Sequence, residues 1–301
     1  MDVKKIMASK TSSATGALER RIARSVHYNI SYLVQGAEYG TDGAIVLLHD
    51  ILAGAFSWQK ISGQLAGLKR AIYAIDMLGY GQSDHPWPAD TSIWGHADVL
   101  SYLLTNLNLT NIIMVGHGLG GGVAQILATR LYREQTAALV LIDSICYQHT
   151  FAEDWPLPEM EKRRDLDTPK QTKLEDMIRD LRATLPKAVV NTERFKGVIN
   201  EYVEPWNSEL GKEVLFQHIR LLIPYYLNAV STDLQVVRKP TLLVWGDKDK
   251  QTPLKDAERL HRAIPDSKLV IVPNAGHLIL TDDPNAVSKA LADFILDLNR
   301  I

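Results

Sequence analysis

Four motifs of the sequence, the last of them a pair of segments, carry residues that could perform acid-base or nucleophilic chemistry, and each is associated with a short β-rich run. An imidazole can exchange a proton near neutral pH, and a carboxylate beside it fixes which ring nitrogen carries that proton. A backbone amide at a tight turn can bind a developing negative charge. In chain order, the segments are LLHDILAGAFSW with His49 and Asp50, DMLGYGQSD from Asp76 to Asp84, MVGHGLGGG from Met114 to Gly122, and the pair VWGDKDKQTP and PNAGHLILTDDP with Asp249 and His277.

These motifs, in this order, resemble those of the α/β-hydrolase superfamily, and the resemblance covers nearly the whole chain after about residue 25. It implies that Asp249 is the acid and His277 the base of a catalytic triad, and that the amides of Ile51 and Leu119 form the oxyanion hole. Asp50 stands where the family usually has glycine. An Asp50 carboxylate pointing inward would oppose a developing negative charge.

The segment MVGHGLGGG aligns with the nucleophile elbow Gly-x-Ser-x-Gly of that family, and it departs from it at one residue. Gly116 and Gly120 are the flanking glycines, and Gly118 stands where the nucleophile belongs. Glycine relieves the backbone strain of the elbow, about 1 to 3 kcal/mol, and removes the attacking hydroxyl. We therefore expect ordinary serine-hydrolase activity to be severely impaired. We also expect space for a water molecule near Gly118.

Several assignments in this region stay open. Asp247 and Asp143 are alternatives to Asp249 as the acid, and Ser144 and Cys146 are alternative nucleophiles. In DMLGYGQSD, we expect Ser83 and Asp84 to cap the backbone. The expected substrate-binding residues are His49, Asp50, His117, Trp155, Trp206, Tyr225 and Tyr226.

The residues from Gly116 to Gly121 also spell G-x-G-x-x-G, a dinucleotide-binding pattern, with Asp143 about 20 residues later. We disfavour that interpretation for two reasons. The pattern is not in the first βα unit, and nucleotide binding would leave the His49, Asp249 and His277 motifs unexplained.

The alternation of β-rich runs and helical patterns predicts a mostly parallel sheet flanked by helices, the α/β-hydrolase fold. Between residues 144 and 233 the strand signal gives way to amphipathic stretches such as KLEDMIRDLRATL. We therefore predict a flexible tail over 1–24, a core formed by 25–143 and 234–301, and an inserted helical cap over 144–233.

Composition restricts the partners. The chain of 301 residues has 33 Lys and Arg against 35 Asp and Glu, a formal charge of -2, which disfavours nucleic acid. Cys146 is the only cysteine, so no intramolecular disulfide can form, and we expect a cytoplasmic location. No apolar run is long enough to cross a membrane. We interpret the basic start of the chain as a tail, with a transit peptide as the lesser alternative.

We expect no metal and no cofactor, because the histidines do not cluster with carboxylates at ligand spacing. The oligomeric state stays open. The expected substrate is a small, largely apolar ester, lactone or ketone. Three functional hypotheses follow: a serine hydrolase inactivated at Gly118, naturally or by design; a natural non-covalent acid-base enzyme using His277 and Asp249, such as a lyase, decarboxylase, cyclase or water-activating hydrolase; and a binding or interaction protein that has lost catalysis.

Overall fold

A single eight-stranded sheet organises the chain in the computed structural model, which describes residues 18–147, 167–222, 230, 232–235 and 238–300. The strand order is β1-β2-β4-β3-β5-β6-β7-β8. The pairings β1 with β2 and β2 with β4 are antiparallel, and all the others are parallel. This confirms the predicted fold class. The strands are β1 (Glu19–Ser25), β2 (Tyr28–Gln35), β3 (Ile45–Leu48), β4 (Ile72–Ile75), β5 (Ile112–His117), β6 (Thr136–Ile142), β7 (Thr241–Gly246) and β8 (Lys268–Val272).

The helices cover both faces of the sheet and bury one hydrophobic cluster on each. Strands β3, β4 and β5 are buried along their whole length, which explains why they read as continuous apolar runs. The α-helices are α1 (Gln59–Leu65), α2 (Ile93–Asn106), α3 (Leu119–Ile126), α4 (Thr168–Gln171), α5 (Leu174–Thr184), α6 (Thr192–Lys196), α7 (Ile199–Val203), α8 (Glu209–Leu221), α9 (Leu254–Ala263), α10 (Ile279–Asp282) and α11 (Pro284–Leu298).

The carboxyl ends of the parallel strands place the motif residues along one edge of the sheet. β3 leads into His49 and Asp50, and β5 ends at His117, directly before α3. β7 and β8 lead into the loops that carry Asp249 and His277. In open parallel sheets this edge is where ligands bind. The topology therefore brings residues from distant parts of the sequence to one place.

The helices α4 to α8, which we call the inserted segment, lie between β6 and β7. No strand interrupts them among the described residues of this part of the chain. The segment packs on the core through aromatic and imidazole rings. Tyr80, in the loop after β4, stacks on His218 of α8 with ring centres 4.2 Å apart and meets Trp206 edge-on at 5.5 Å. All three rings are buried, so these contacts fix α8 over the loop.

The predicted boundaries at the start of the chain need one correction. The tail was expected to extend to residue 24, but β1 begins at Glu19 and pairs with β2. Its sequence ERRIARS is polar because β1 is an edge strand, and most of its side chains face solvent. Among the described residues, no helix is both long enough and apolar enough to cross a bilayer.

The loop after β4 has the structural role expected from its sequence. Ser83 donates a hydrogen bond to the carbonyl of Asp76 and accepts one from the amide of Ser31. The Asp84 carboxylate accepts from the amide of Asn29. These bonds fix the loop to β2.

Acid sensitivity of the fold should depend on His96, a buried residue of α2 in ring contact with Tyr80 and His218. Burial lowers the pKa of His96 from 6.5 to about 3. Below pH 6.5 the unfolded chain binds a proton that the folded chain does not, so stability is complete above 6.5 and is lost as the pH falls. At pH 5, about 2 kcal/mol of the free energy of unfolding is lost through this residue.

Between pH 7 and pH 5, the free energy of unfolding should therefore fall by about 2 kcal/mol less in His96→Phe than in the unmodified chain. Urea unfolding at the two pH values measures both losses. His27→Phe, at an exposed position, is the control. Equal losses in all three proteins would contradict the assignment.

Candidate active site

The turn between β5 and α3 has the backbone geometry of a nucleophile elbow. Gly118 has φ of 51° and ψ of −115°, in a region that side chains rarely tolerate. Its neighbours are packed too closely for side chains. A Cβ at Gly116 would overlap the carbonyl of Gly120, and one at Gly120 would lie 2.6 Å from the carbonyl oxygen of His49. The elbow is thus present, with glycine at its tip.

The side chain of Asp50 occupies the space that a nucleophile at position 118 would fill. A Cβ built on Gly118 would overlap Oδ1 and Cγ of Asp50 and lie 2.9 Å from its Cβ. A carboxylate from the neighbouring loop fills that space. The expected space for water is therefore not at the position of the missing side chain; a water-sized cavity lies beside it, lined by Asp50 and Leu119.

Two hydrogen bonds hold the Asp50 carboxylate there. The amide of Leu119, at the start of α3, donates to Oδ1 at 2.7 Å. Oδ2 lies 3.1 Å from Nε2 of His277. The carboxylate is buried, with 3% of the residue exposed. Asp50 therefore binds the predicted oxyanion donor and the predicted catalytic imidazole at once.

His277 is also held from its other side by the predicted acid. Its Nδ1 lies 2.8 Å from Oδ2 of Asp249. The Asp249 carboxylate is itself fixed by the amides of Gln251 and Thr252 and by the Thr252 hydroxyl. The result is a buried series of carboxylate, imidazole and carboxylate, formed by Asp249, His277 and Asp50.

The electrostatics of this series change the protonation expected for the imidazole. Burial disfavours a charged His277, but the charges and hydrogen bonds of Asp249 and Asp50 outweigh burial and raise its pKa well above the usual value. Burial likewise opposes ionisation of Asp50, yet His277 and the Leu119 amide keep the Asp50 pKa below its usual value. At neutral pH the resting pair is an imidazolium and a carboxylate. His277, expected to be a base, is at rest an acid.

The alternative acids have other partners. Asp143 accepts a hydrogen bond from the amide of Gly246, and burial, aided by the charge of Asp249, raises its pKa well above the usual value. Asp247 pairs with Lys248. Of Asp143, Asp247 and Asp249, Asp249 is the one whose carboxylate lies within hydrogen-bond distance of His277, and its role as the acid of a triad stays a prediction.

The alternative nucleophiles are also engaged elsewhere. The Ser144 hydroxyl donates to the carbonyl of Ile145 and accepts from the side-chain amide of Gln125. Cys146 is buried, and burial raises the pKa of its thiol well above the usual value, which suppresses the reactive thiolate.

The predicted oxyanion hole is half occupied. The Leu119 amide is bound to Asp50, whereas the amide of Ile51 donates no hydrogen bond to another described residue. Ile51 and Leu119 nevertheless both line a small cavity of about 10 Å³, roughly the size that one water molecule needs. The described residues that line this cavity are Asp50, Ile51, Leu119, Ile145, Leu222, Gln251, Thr252 and His277.

Other predicted substrate-binding residues have structural partners. His49 is buried, and its ring nitrogens contact the amide of Met77 and the carbonyl of Asp50. His117 is 2% exposed, and its Nε2 lies 2.7 Å from the carbonyl oxygen of His277. Trp206 packs against Tyr80. Trp155, Tyr225 and Tyr226 lie outside the described residues, so their role stays a prediction.

The sequence predicted Asp50 as a substrate-binding residue and did not predict its contact with the imidazole of His277. The signal was present, because a charged residue at the usual glycine of the oxyanion loop coincides with a glycine at the usual nucleophile. Taken together, the two departures indicate that the larger side chain at position 50 fills the space left by the missing side chain at position 118. Neither departure indicates this alone.

The comparisons with known proteins agree with the fold. Residues 43–284 match the family model described as alpha/beta hydrolase fold. The chain is similar to the uncharacterized hydrolase YugF of Bacillus subtilis, 27% identical over 268 residues, covering 83% of this chain and 89% of that protein. It is also 27% identical to the human mesoderm-specific transcript homolog protein, covering 85% of this chain and 79% of that protein.

Solved structures show the same architecture at low identity. Haloalkane dehalogenase DbeA from Bradyrhizobium elkani superposes with a TM-score of 0.81 at 18% identity, covering 94% of this chain and 99% of that one. A thermophilic esterase from Thermogutta terrifontis gives a TM-score of 0.72 at 22% identity, covering 93% and 99%. These likenesses establish the fold.

The shared volume of Asp50 and Gly118 should appear as coupling between mutations. Gly118→Ala is expected to destabilise the chain, because its Cβ overlaps the Asp50 carboxylate and its φ is positive. In an Asp50→Ala background the overlap disappears, so the same change should cost about 0.5 to 3 kcal/mol less. Urea unfolding of the four proteins of this cycle measures the difference. Additive effects would show that the two positions do not compete for space.

Proposed function

The chain belongs to the α/β-hydrolase fold family, and we propose that it is an acid-base enzyme that acts without a covalent serine intermediate on a small, largely apolar carbonyl compound. One observation carries this proposal. The Asp50 carboxylate lies where the nucleophile side chain would be and contacts Nε2 of His277. The site therefore pairs a proton acceptor with a proton donor in place of a serine with its base.

The interlocking of Asp50 and Gly118 argues against a serine hydrolase disabled by one substitution. A serine at 118 would overlap the Asp50 carboxylate, and the Leu119 amide would still be bound to that carboxylate instead of to a substrate oxygen. Loss of a serine alone leaves both features unexplained. They are the features of a site adapted to another reaction.

The proposed reaction begins with a substrate carbonyl oxygen in the small cavity; at about 10 Å³ the cavity admits one water-sized group, so a whole substrate binds only when the lining residues move apart. The Ile51 amide faces no described partner and is available to donate to the carbonyl oxygen. Asp50 takes a proton from the carbon next to that carbonyl, and the negative charge that develops on the oxygen is stabilised by the amide. His277 then gives its Nε2 proton to the intermediate, while Asp249 holds its Nδ1 proton in place.

This sequence of steps fits elimination, isomerisation or cyclisation through an enolate. Water activation is the second route open to the same pair, with Asp50 accepting a proton from water and His277 protonating the leaving group. The two routes differ in one observable. Only the enolate route exchanges the hydrogens next to the carbonyl with solvent.

The lining of the cavity favours apolar substrates. Four of the described lining residues, Ile51, Leu119, Ile145 and Leu222, present aliphatic side chains, and among those described only Asp50 and His277 are ionisable. Once the cavity widens, such a lining favours a small hydrophobic ketone, lactone or ester over a charged molecule.

Hydrogen exchange next to a carbonyl tests the acid-base pair. We expect the chain to exchange the α-hydrogens of some small cyclic ketones or lactones in D2O, followed by proton NMR. Asp50→Asn and His277→Gln should each lower the exchange rate by about 10² to 10⁴, the usual contribution of a general acid or base. Asp247→Asn, which removes a carboxylate paired with Lys248, is the matched control. Exchange that survives Asp50→Asn would reject the mechanism, and ligand binding with neither exchange nor hydrolysis would favour a binding protein.

A serine added at the elbow gives an independent test. We expect Gly118→Ser alone to gain little labelling by a fluorophosphonate, because Asp50 occupies the space of the hydroxyl. The double variant Asp50→Gly with Gly118→Ser frees both that space and the Leu119 amide, and it should gain labelling at position 118, identified by peptide mass. Strong labelling of the single variant would instead support a serine hydrolase inactivated at one position.

A further inference from the structure

We propose that Asp50, His117 and His277 form a binding site for one divalent cation of the zinc class. One ligand atom from each of the three lies within 4.8 Å of the other two. The residues come from three separate segments at the carboxyl edge of the sheet, the loop after β3, the last residue of β5 and the loop after β8, and all are buried. The expectation that histidines and carboxylates do not cluster is therefore wrong for these three, because the fold joins residues whose spacing along the chain indicates no site. The site goes beyond the proposed function, which needs neither a cation nor His117.

His117 supplies the independent evidence for a ligand. Its Nε2 is engaged with the carbonyl of His277 at 2.7 Å, which requires the proton to be on Nε2. Nδ1 then carries a lone pair, and this buried nitrogen has no hydrogen-bond partner among the described residues. Buried polar atoms are nearly always satisfied, so this unsatisfied nitrogen, on an imidazole that clusters with Asp50 and His277, indicates a bound species.

The other two ligands are oriented as metal ligands usually are. His277 binds a carboxylate through Nδ1 at 2.8 Å, which leaves Nε2 as the coordinating atom. Asp50 is anchored through Oδ1 by the Leu119 amide, and its Oδ2 is next to that Nε2. Histidine ligands that hydrogen-bond through their second nitrogen to a carboxylate or a backbone carbonyl are typical of metal sites. Both histidines of this cluster meet that condition.

Charge favours a dication over a monovalent ion. The carboxylates of Asp50 and Asp249 flank His277 in a region shielded from water. Buried charges are costly unless they are neutralised, and a divalent cation balances two carboxylates. The donor set of two nitrogens and one oxygen suits Zn²⁺ or Co²⁺ and is poor for Mg²⁺ or Ca²⁺, which prefer oxygen.

Binding of a cation requires the three ligand atoms, which lie within 4.8 Å of one another, to move slightly closer together. A tetrahedral Zn²⁺ ion with bonds of about 2.1 Å holds its ligand atoms roughly 3.4 Å apart. The Asp50 and His277 atoms are already 3.1 Å apart, so the adjustment falls on the ring of His117. Two of the three ligands, Asp50 and His277, also line the small cavity. A cation at Nε2 takes the lone pair that otherwise holds the transferable proton, so cation binding and proton transfer exclude each other. That last consequence rests on the proposed function.

Cobalt binding tests the site without any substrate. The EDTA-treated protein is titrated with CoCl2, and the visible d–d absorption reports low-coordinate Co²⁺. We expect one equivalent to bind, ZnCl2 to displace it, and MgCl2 to have no effect. His117→Phe and Asp50→Asn should each weaken binding by at least about 10-fold. His96→Phe, a buried histidine outside the cluster, should bind as the unmodified chain does.

The outcomes separate this inference from the proposed function. Absence of the d–d bands, or equal affinity in His117→Phe and the unmodified chain, would overturn the site. Asp50→Asn conserves shape and checks the result if His117→Phe is misfolded by circular dichroism. Exchange of α-hydrogens is measured in EDTA and again after ZnCl2 is added. Exchange that occurs in EDTA and falls with ZnCl2 supports both the cation site and the acid-base proposal. Cation binding without exchange in EDTA supports the site and rejects the acid-base proposal.

Discussion

The carboxylate of Asp50, held between the Leu119 amide and the His277 imidazole, is the interaction on which the rest of the site depends. A buried carboxylate is stable only while its partners are present, and removing one partner of a buried ion pair typically costs about 3 to 5 kcal/mol. Gly118 is the condition for this contact, because any side chain there would enter the same volume. The four residues are therefore one unit, and a change in any of them alters the others.

The fold makes this contact possible because the loops that follow β3 and β5 lie side by side and are joined by a backbone hydrogen bond. Leu48 of β3 is in register with Gly116 of β5, so the loops that follow these strands start side by side. The amide of Gly120 then donates to the carbonyl of His49 at 3.0 Å. This backbone bond places the residue after His49 next to the tip of the elbow. From there the short side chain of Asp50 reaches the space above Gly118.

The sequence was sufficient for the features that follow from pattern and order. Apolar runs predicted the strands, and the motif order predicted the pairing of His277 with Asp249. The polar strand β1 was missed, because an edge strand buries little and so lacks an apolar pattern. The direction of Asp50 could be inferred only by combining the two departures from the family pattern, at positions 50 and 118. It is set by the volume left free at Gly118, and that residue belongs to a different loop.

A carboxylate in place of a serine changes the chemistry of the whole site through charge. In a serine triad the imidazole has one carboxylate partner and a neutral hydroxyl, so it rests unprotonated and acts as a base. Here a second carboxylate is present, and His277 retains a proton because two negative neighbours outweigh the cost of burial. Burial and the like charge of nearby Asp249 both oppose ionisation of Asp143 and raise its pKa well above the usual value. The protein thus has the fold of a hydrolase, and in the proposed function the roles of acid and base are reversed.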